Sequence, residues 1–153
     1  MEKIITFLEE YAAFFEQVEQ KQEEKLATLT KGELSAVEQT IVMQQALDKQ
    51  IQNMEQRRIQ LFLEEGFDGK TFKELLELAQ NEAYYSQLEA LYQRIEHSVT
   101  SVKFINQKCV KLAQTALAGM GVTNFPTNAP KKSQAKGYEA YRVGTGSILQ
   151  TKI

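Results

Sequence analysis

The sequence predicts an all-α fold: an antiparallel bundle of long helices with coiled-coil-like packing, one short corner helix and a flexible C-terminal tail. Three observations predict it. From residue 2 to about residue 118 there is no proline, and Glu, Gln, Lys, Leu and Ala, all strong helix formers, dominate. Apolar residues recur there three and four apart, the spacing that lines up one face of a 3.6-residue helix. Both prolines, Pro126 and Pro130, fall in the last fifth of the chain, where that periodicity stops.

The first helix carries Ile4, Leu8, Tyr11, Phe15 and Val18 in its stripe, and Leu26 and Leu29 resume it after a polar gap at Gln22. The stretch TLTKGELSAV then punctuates the chain. Thr30 and Glu33 have the spacing of a capping box and Gly32 weakens helix between them, so a second helix is expected from near residue 31. Its stripe is Leu34, Val37, Ile41, Leu47, Ile51, Met54 and Leu61, with Asp48, Lys49, Glu55, Arg57 and Arg58 expected largely on other faces.

That helix should stop at Gly66, where a left-handed glycine can close the C-terminus after Leu61, Phe62 and Leu63. The following letters, GFDGKTF from Gly66 to Phe72, superficially resemble a phosphate loop. A Walker loop needs four residues between its first glycine and Gly-Lys-[Ser/Thr], and a strand in front of it. Here two residues separate Gly66 from Gly69, and a charged Gln-rich helix precedes them. The stretch reads instead as a connection: Gly69 adds a second flexible point, and Thr71 with Glu74 forms a capping box for a short corner helix carrying Phe72, Leu75, Leu76 and Leu78. Asn81 is the candidate start of the next helix.

The last helix is the most regular. Leu88, Ile95, Val102, Cys109 and Ala116 hold one heptad core position, and Tyr84, Leu91, Ser98, Ile105 and Leu112 hold the other, with Ser98 alone breaking the apolar pattern. Long helices joined by short turns must run antiparallel. After Gly119 and Gly121 the chain turns to proline and small polar residues, which divides it into a helical bundle over 1–121 and a flexible tail over 122–153. Residues 125–153 hold five basic residues against Glu139, a net of +4, so the remainder carries −6. An acidic body carries a basic tail.

Composition narrows the function further. At 153 residues and 42% hydrophobic content the chain can bury one modest core, and a net charge of −2 gives no basic field for nucleic acid or anionic membrane. A single cysteine cannot form an intramolecular disulfide, glutamates interrupt the N-terminal MEKIITFLEEYAAFFEQ, and no apolar run approaches a membrane span. A cytoplasmic protein with no integral membrane segment is expected.

No catalytic or metal-binding residue is singled out, and no cofactor is expected. His97 is the sole histidine, so a histidine triad or zinc cluster lacks partners, and it is expected exposed or between helices. Cys109 sits in a heptad core position, where a free cysteine behaves as a small hydrophobe. Bundle di-iron sites need Glu-x-x-His, and the residue three before His97 is Arg94. Glu9-Glu10, Glu23-Glu24 and Glu64-Glu65 read as solvated helix faces. What remains is surface. In KCVKLAQTALAGMGV, Leu112, Ala116, Leu117 and Met120 form a small-residue apolar stripe suited to an amphipathic partner helix, or covered by the first helix; periodicity fits both.

The order and layout of these pieces resemble the FlgN family of flagellar export chaperones: an acidic Glu/Gln/Leu-rich first helix, the LTKGELSAVEQ joint, a second helix ending QRRIQLFLEEGF, the TFKELLELA corner, a long last helix, and a tail ending TKI. The resemblance covers nearly the whole length. It implies a protein without catalytic activity that binds the C-terminal helices of hook-associated (hook–filament junction) proteins. It implies that they are kept from polymerising and delivered to the flagellar type III export gate and its ATPase complex. By the same resemblance, substrate binding falls on Val102, Ile105, Cys109, Leu112, Ala116, Leu117 and Met120, and export-gate docking on a tail tyrosine, Tyr138 or Tyr141, the latter nearer Gly144. Ile148, Leu149 and Ile153 would let the tail cover the stripe in the unloaded state. The competing class is a self-associating structural coiled-coil subunit or adaptor without cargo, and a homodimer fits either class.

Overall fold

The computed structural model describes residues 1–119, and Met120, Tyr138, Tyr141 and the rest of the predicted tail lie outside them. Four helices and no strand occur among the described residues: α1 (Glu2–Leu29), α2 (Leu34–Glu64), α3 (Phe72–Leu78) and α4 (Tyr85–Gly119). At about 1.5 Å per residue the three long helices are rods of roughly 40 to 50 Å.

Side-chain pairs fix how the rods run. Between α1 and α2 the partners move in opposite directions along the two chains: Glu10 with Arg57, Tyr11 with Glu55, Gln22 with Gln44. Between α1 and α4 they advance together: Glu9 with Gln87, Glu16 with Arg94, Lys25 with Asn106. Consecutive long helices are therefore antiparallel, and α1 and α4 run parallel. The corner formed by α3 makes this possible, because it carries the chain across the end of the bundle before α4 sets off. Helix α1 is the central rod, packed along α4 and against α2, while α2 and α4 touch each other little.

The connections follow local chemistry. Glycine at 66 has φ 86°, and beyond it the Phe67 N–H reaches back to the Phe62 carbonyl at 2.7 Å, closing α2. The Thr71 side chain accepts from the Glu74 N–H and Glu74 accepts from the Thr71 N–H, the reciprocal cap expected for α3. Arg58 supports the same corner by donating to the Lys70 carbonyl while gripping Glu55 at 2.6 Å.

Three local expectations need correction. Thr30 stays in helical backbone at the end of α1 and its hydroxyl donates to the Ala27 carbonyl, so it caps nothing in α2. Gly32, at φ 69°, makes the turn instead, and α2 starts at Leu34 behind Glu33, which makes no side-chain cap. Helix α4 starts at Tyr85, four residues after Asn81. Of the residues expected on the outer faces of α2, Lys49 and Arg57 are exposed, but Asp48 is buried and Glu55 and Arg58 are half-buried.

The end where α2 finishes and α4 begins, here the basal end, is filled from all four helices. Phe7, Tyr11 and Phe15 stack one turn apart along α1 with ring centroids 5.6 and 5.0 Å apart, and they meet Ile51, Phe62, Phe72, Leu75, Leu88, Leu91 and Ile95. The predicted α4 heptad holds throughout this region, and Ser98 is buried with it. Val99, Asn106 and Ala113 form an additional buried row beside the two heptad positions, the wider face a helix needs when it packs into a bundle.

Candidate functional site

At the opposite, apical end a second apolar cluster is built from three helices only: Leu29 of α1, Val37 of α2, and Ile105, Cys109 and Ala113 of α4. No aromatic side chain belongs to it. Leu26, Ile41, Val110, Leu112, Ala116 and Leu117 pack around it, partly buried.

The register shows why this end is thinly walled. Lys25 bonds both Gln44 and Asn106, which puts those three residues at one level. Counting upward from there, α1 ends within about one turn, whereas α4 continues to Gly119 and α2 begins level with about Ala116. Above Leu29 no described helix takes the place of the central rod, and Leu112, Ala116 and Leu117 are only partly buried on the last turns of α4.

Between the two apolar clusters lies a polar layer to which every long helix contributes. The Lys25 amine donates to Gln44 Oε1 at 2.6 Å and to Asn106 Oδ1 at 2.8 Å. Gln22 Nε2 donates to the same Gln44 oxygen at 2.9 Å, and Gln44 Nε2 donates to Asp48 Oδ1 at 3.0 Å. All five residues are buried, and Gln22 Oε1 has no hydrogen-bond partner among the described residues. Burial pushes the Lys25 ammonium down to about 8, with Cys109 and Asp48 pulling the other way. Burial likewise raises the Asp48 carboxyl above its ordinary range, against the lowering effect of the Gln44 amide and Lys25. A buried layer holding a lysine is costly unless its bonds are complete, and here one acceptor is without a partner among the described residues.

The sequence signal for this layer was present. In α1, Gln22 and Lys25 occupy heptad core positions shared with Leu8, Phe15 and Leu29 and with Ile4, Tyr11 and Val18. In α2, Gln44 lies seven residues from both Val37 and Ile51. A stripe read only for apolar letters passes over them as gaps.

The residues singled out from the sequence separate across the layer. Val102 belongs to the basal core, while Ile105 and Cys109 are buried in the apical cluster and Leu112, Ala116 and Leu117 form its open edge. His97 is exposed on α4, and Cys109 is fully buried. Among the described residues no group of three or more His, Cys, Asp or Glu side chains is placed to hold a metal ion, and no helix is long and apolar enough to cross a membrane. An open groove of about 930 Å³ runs between the start of α1 and the end of α2, lined by Lys3, Thr6, Phe7, Glu10, Arg57 and Gln60 among others. It is bridged by the exposed Arg57–Glu10 pair and lies at the basal end, away from the predicted stripe.

Compared with protein-family models, with curated proteins and with solved structures, the chain matches none.

Proposed function

We propose that this chain is a non-catalytic, cytoplasmic export chaperone of the FlgN type. It holds the C-terminal helices of hook-associated junction proteins at its apical end, prevents their premature polymerisation, and delivers them to the flagellar export gate and ATPase complex. The observation that carries this reading is that, among the described residues, no third helix stands above Leu29. There the half-buried stripe of Leu112, Ala116 and Leu117 offers a helix-sized apolar edge beside the start of α2.

The residue types suit a reversible grip. Alanine at 116 lets a foreign helix approach closely, and the small contact area keeps affinity moderate once the cost of ordering the bound segment is subtracted. Gate docking is assigned to Tyr138 or Tyr141, which leaves cargo and gate on separate parts of the chain.

Calorimetric titration with a peptide from the C-terminal helix of a junction protein tests the proposal. Saturable binding is expected, with Leu112→Asp abolishing it while circular dichroism still shows the native helix content. Titration of junction-protein peptides without heat, alongside concentration-dependent sedimentation of the chain alone, would replace this reading. The same apical edge would then belong to a self-associating coiled-coil subunit, with a second copy of the chain supplying the missing wall.

A further inference from the structure

We propose that the Lys25 layer divides the bundle into two cooperative units, so that the apical end opens as a whole while the basal core stays packed. The division rests on placement. In α1 the buried apolar run stops at Val18, gives way to Gln22 and Lys25, and resumes at Leu29. In α2, Gln44 and Asp48 flank Leu47 between Val37 and Ile51, and in α4 Asn106 interrupts the row from Val99 to Ala113 while the heptad rows run on through Val102, Ile105 and Cys109. The bonds of Lys25 bring Gln44 and Asn106 to one level, and on either side of it the two apolar clusters share no buried apolar residue.

The energetics favour opening above the layer. Parting the apical helices exposes five small or medium apolar side chains, whereas parting the basal ones exposes the Phe7, Tyr11, Phe15, Phe62 and Phe72 rings as well. The polar layer also gains from water when the tip parts. The Lys25 ammonium is rehydrated and Gln22 Oε1, without a partner among the described residues, is opened to water, so part of the cost of exposing the tip is offset. Segments with few buried apolar contacts form the low-stability end of the native ensemble. For any helix that binds here, the opening makes Ile105 and Cys109 reachable although both are buried in the closed state. The opening itself requires no particular partner.

Cys109 is the only cysteine and lies in the apical cluster, one heptad above Val102 in the basal core. Thiol labelling of the full chain in native buffer, normalised to the rate in denaturant, therefore compares the two sides of the layer directly. Cys109 is expected to react at least about tenfold faster than the thiol introduced by Val102→Cys in a Cys109→Ala background, and with a weaker dependence on low urea. Equal rates with equal urea dependence would overturn the proposal. Native-state hydrogen exchange on the unsubstituted chain gives the same comparison without a new thiol: amides of residues 105–113 are expected to exchange through a smaller opening than those of residues 88–99. Uniform protection along α4 would likewise overturn it.

Discussion

The basal and apical halves of this bundle share the same three long helices, yet they are built to different standards. The basal half is closed by a fourth element, lined with stacked aromatic rings, and fastened by the Tyr11–Glu55–Arg58 group, in which burial and Glu55 hold the Tyr11 hydroxyl protonated far above the ordinary tyrosine range. Among the described residues the apical half has three walls that become two, no ring in its apolar cluster, and a foundation of buried amides and a lysine. The difference teaches that one heptad pattern can concentrate its stability at one end and leave partly buried apolar surface at the other, the end to which the proposed recognition is assigned.

Truncations of buried side chains break this comparison most strongly. Phe15→Ala removes a ring from the fully buried basal stack and is expected to cost about 3–5 kcal/mol in urea denaturation, enough to unfold a marginal bundle of this size. Leu29→Ala, also at a buried position but at the thin end, is expected to cost about 2–3 kcal/mol because the tip can collapse onto the smaller residue. Equal costs would mean that the apical cluster is as tightly held as the basal one.

The next effect is electrostatic and sharpens what the polar layer contributes. Lys25 has a folded-state pKa of about 8, below the ordinary value of 10.5. Below pH 8 both folded and unfolded chains bind the proton, and the desolvation penalty is present in full. Between pH 8 and 10.5 the unfolded chain holds the proton while the folded chain releases it, so stability rises with pH across that window. In Lys25→Met that contribution is absent. The variant also leaves Asn106 Oδ1 without its Lys25 donor, a loss of about 1–3 kcal/mol, so the informative quantity is how its stability relative to the parent changes with pH. The difference is expected to shift in favour of the parent by about 2–3 kcal/mol from pH 7.5 to pH 10.5. A flat difference would mean that water already reaches the amine in the folded state.

How much of this was legible beforehand depends on what each element needed. The long helices, the heptad of α4, the Gly66 stop and the Thr71–Glu74 cap are all decided within a few residues of sequence, and each is where the pattern put it. The start of α2 was misplaced because Thr30 and Glu33 satisfy the spacing of a capping box, but Thr30 had already been taken by the last turn of α1. The polar layer was missed for a different reason. Gln22, Gln44 and Asn106 become partners only when three helices are laid side by side in register, and no single stripe reveals that its gap coincides with the gap of another. Asp48 was placed outside because a carboxylate is normally solvated, whereas here the Gln44 amide holds it beneath the surface. For the site, periodicity left open whether Leu112, Ala116 and Leu117 are covered, and they are partly buried against the apical cluster, while Val102 is basal core.

The smallest expected effect is also the most discriminating between the two ends. Gly32 and Gly66 both adopt left-handed backbone, at φ 69° and 86°, and an added Cβ at either would meet nothing within 4 Å. Alanine at either position thus costs only the conformational penalty, about 1 kcal/mol, with no steric clash to confuse the result. Gly66→Ala strains the corner that anchors α2 to α3, so its cost should appear in global unfolding and leave Cys109 labelling unchanged. Gly32→Ala strains the joint between α1 and α2 at the apical end, and opening that end releases the strain. Labelling of Cys109 should therefore accelerate about fivefold in Gly32→Ala alone, the factor corresponding to 1 kcal/mol. If both variants accelerate labelling equally, Cys109 becomes reachable only when the whole bundle unfolds, and the two halves form a single cooperative unit.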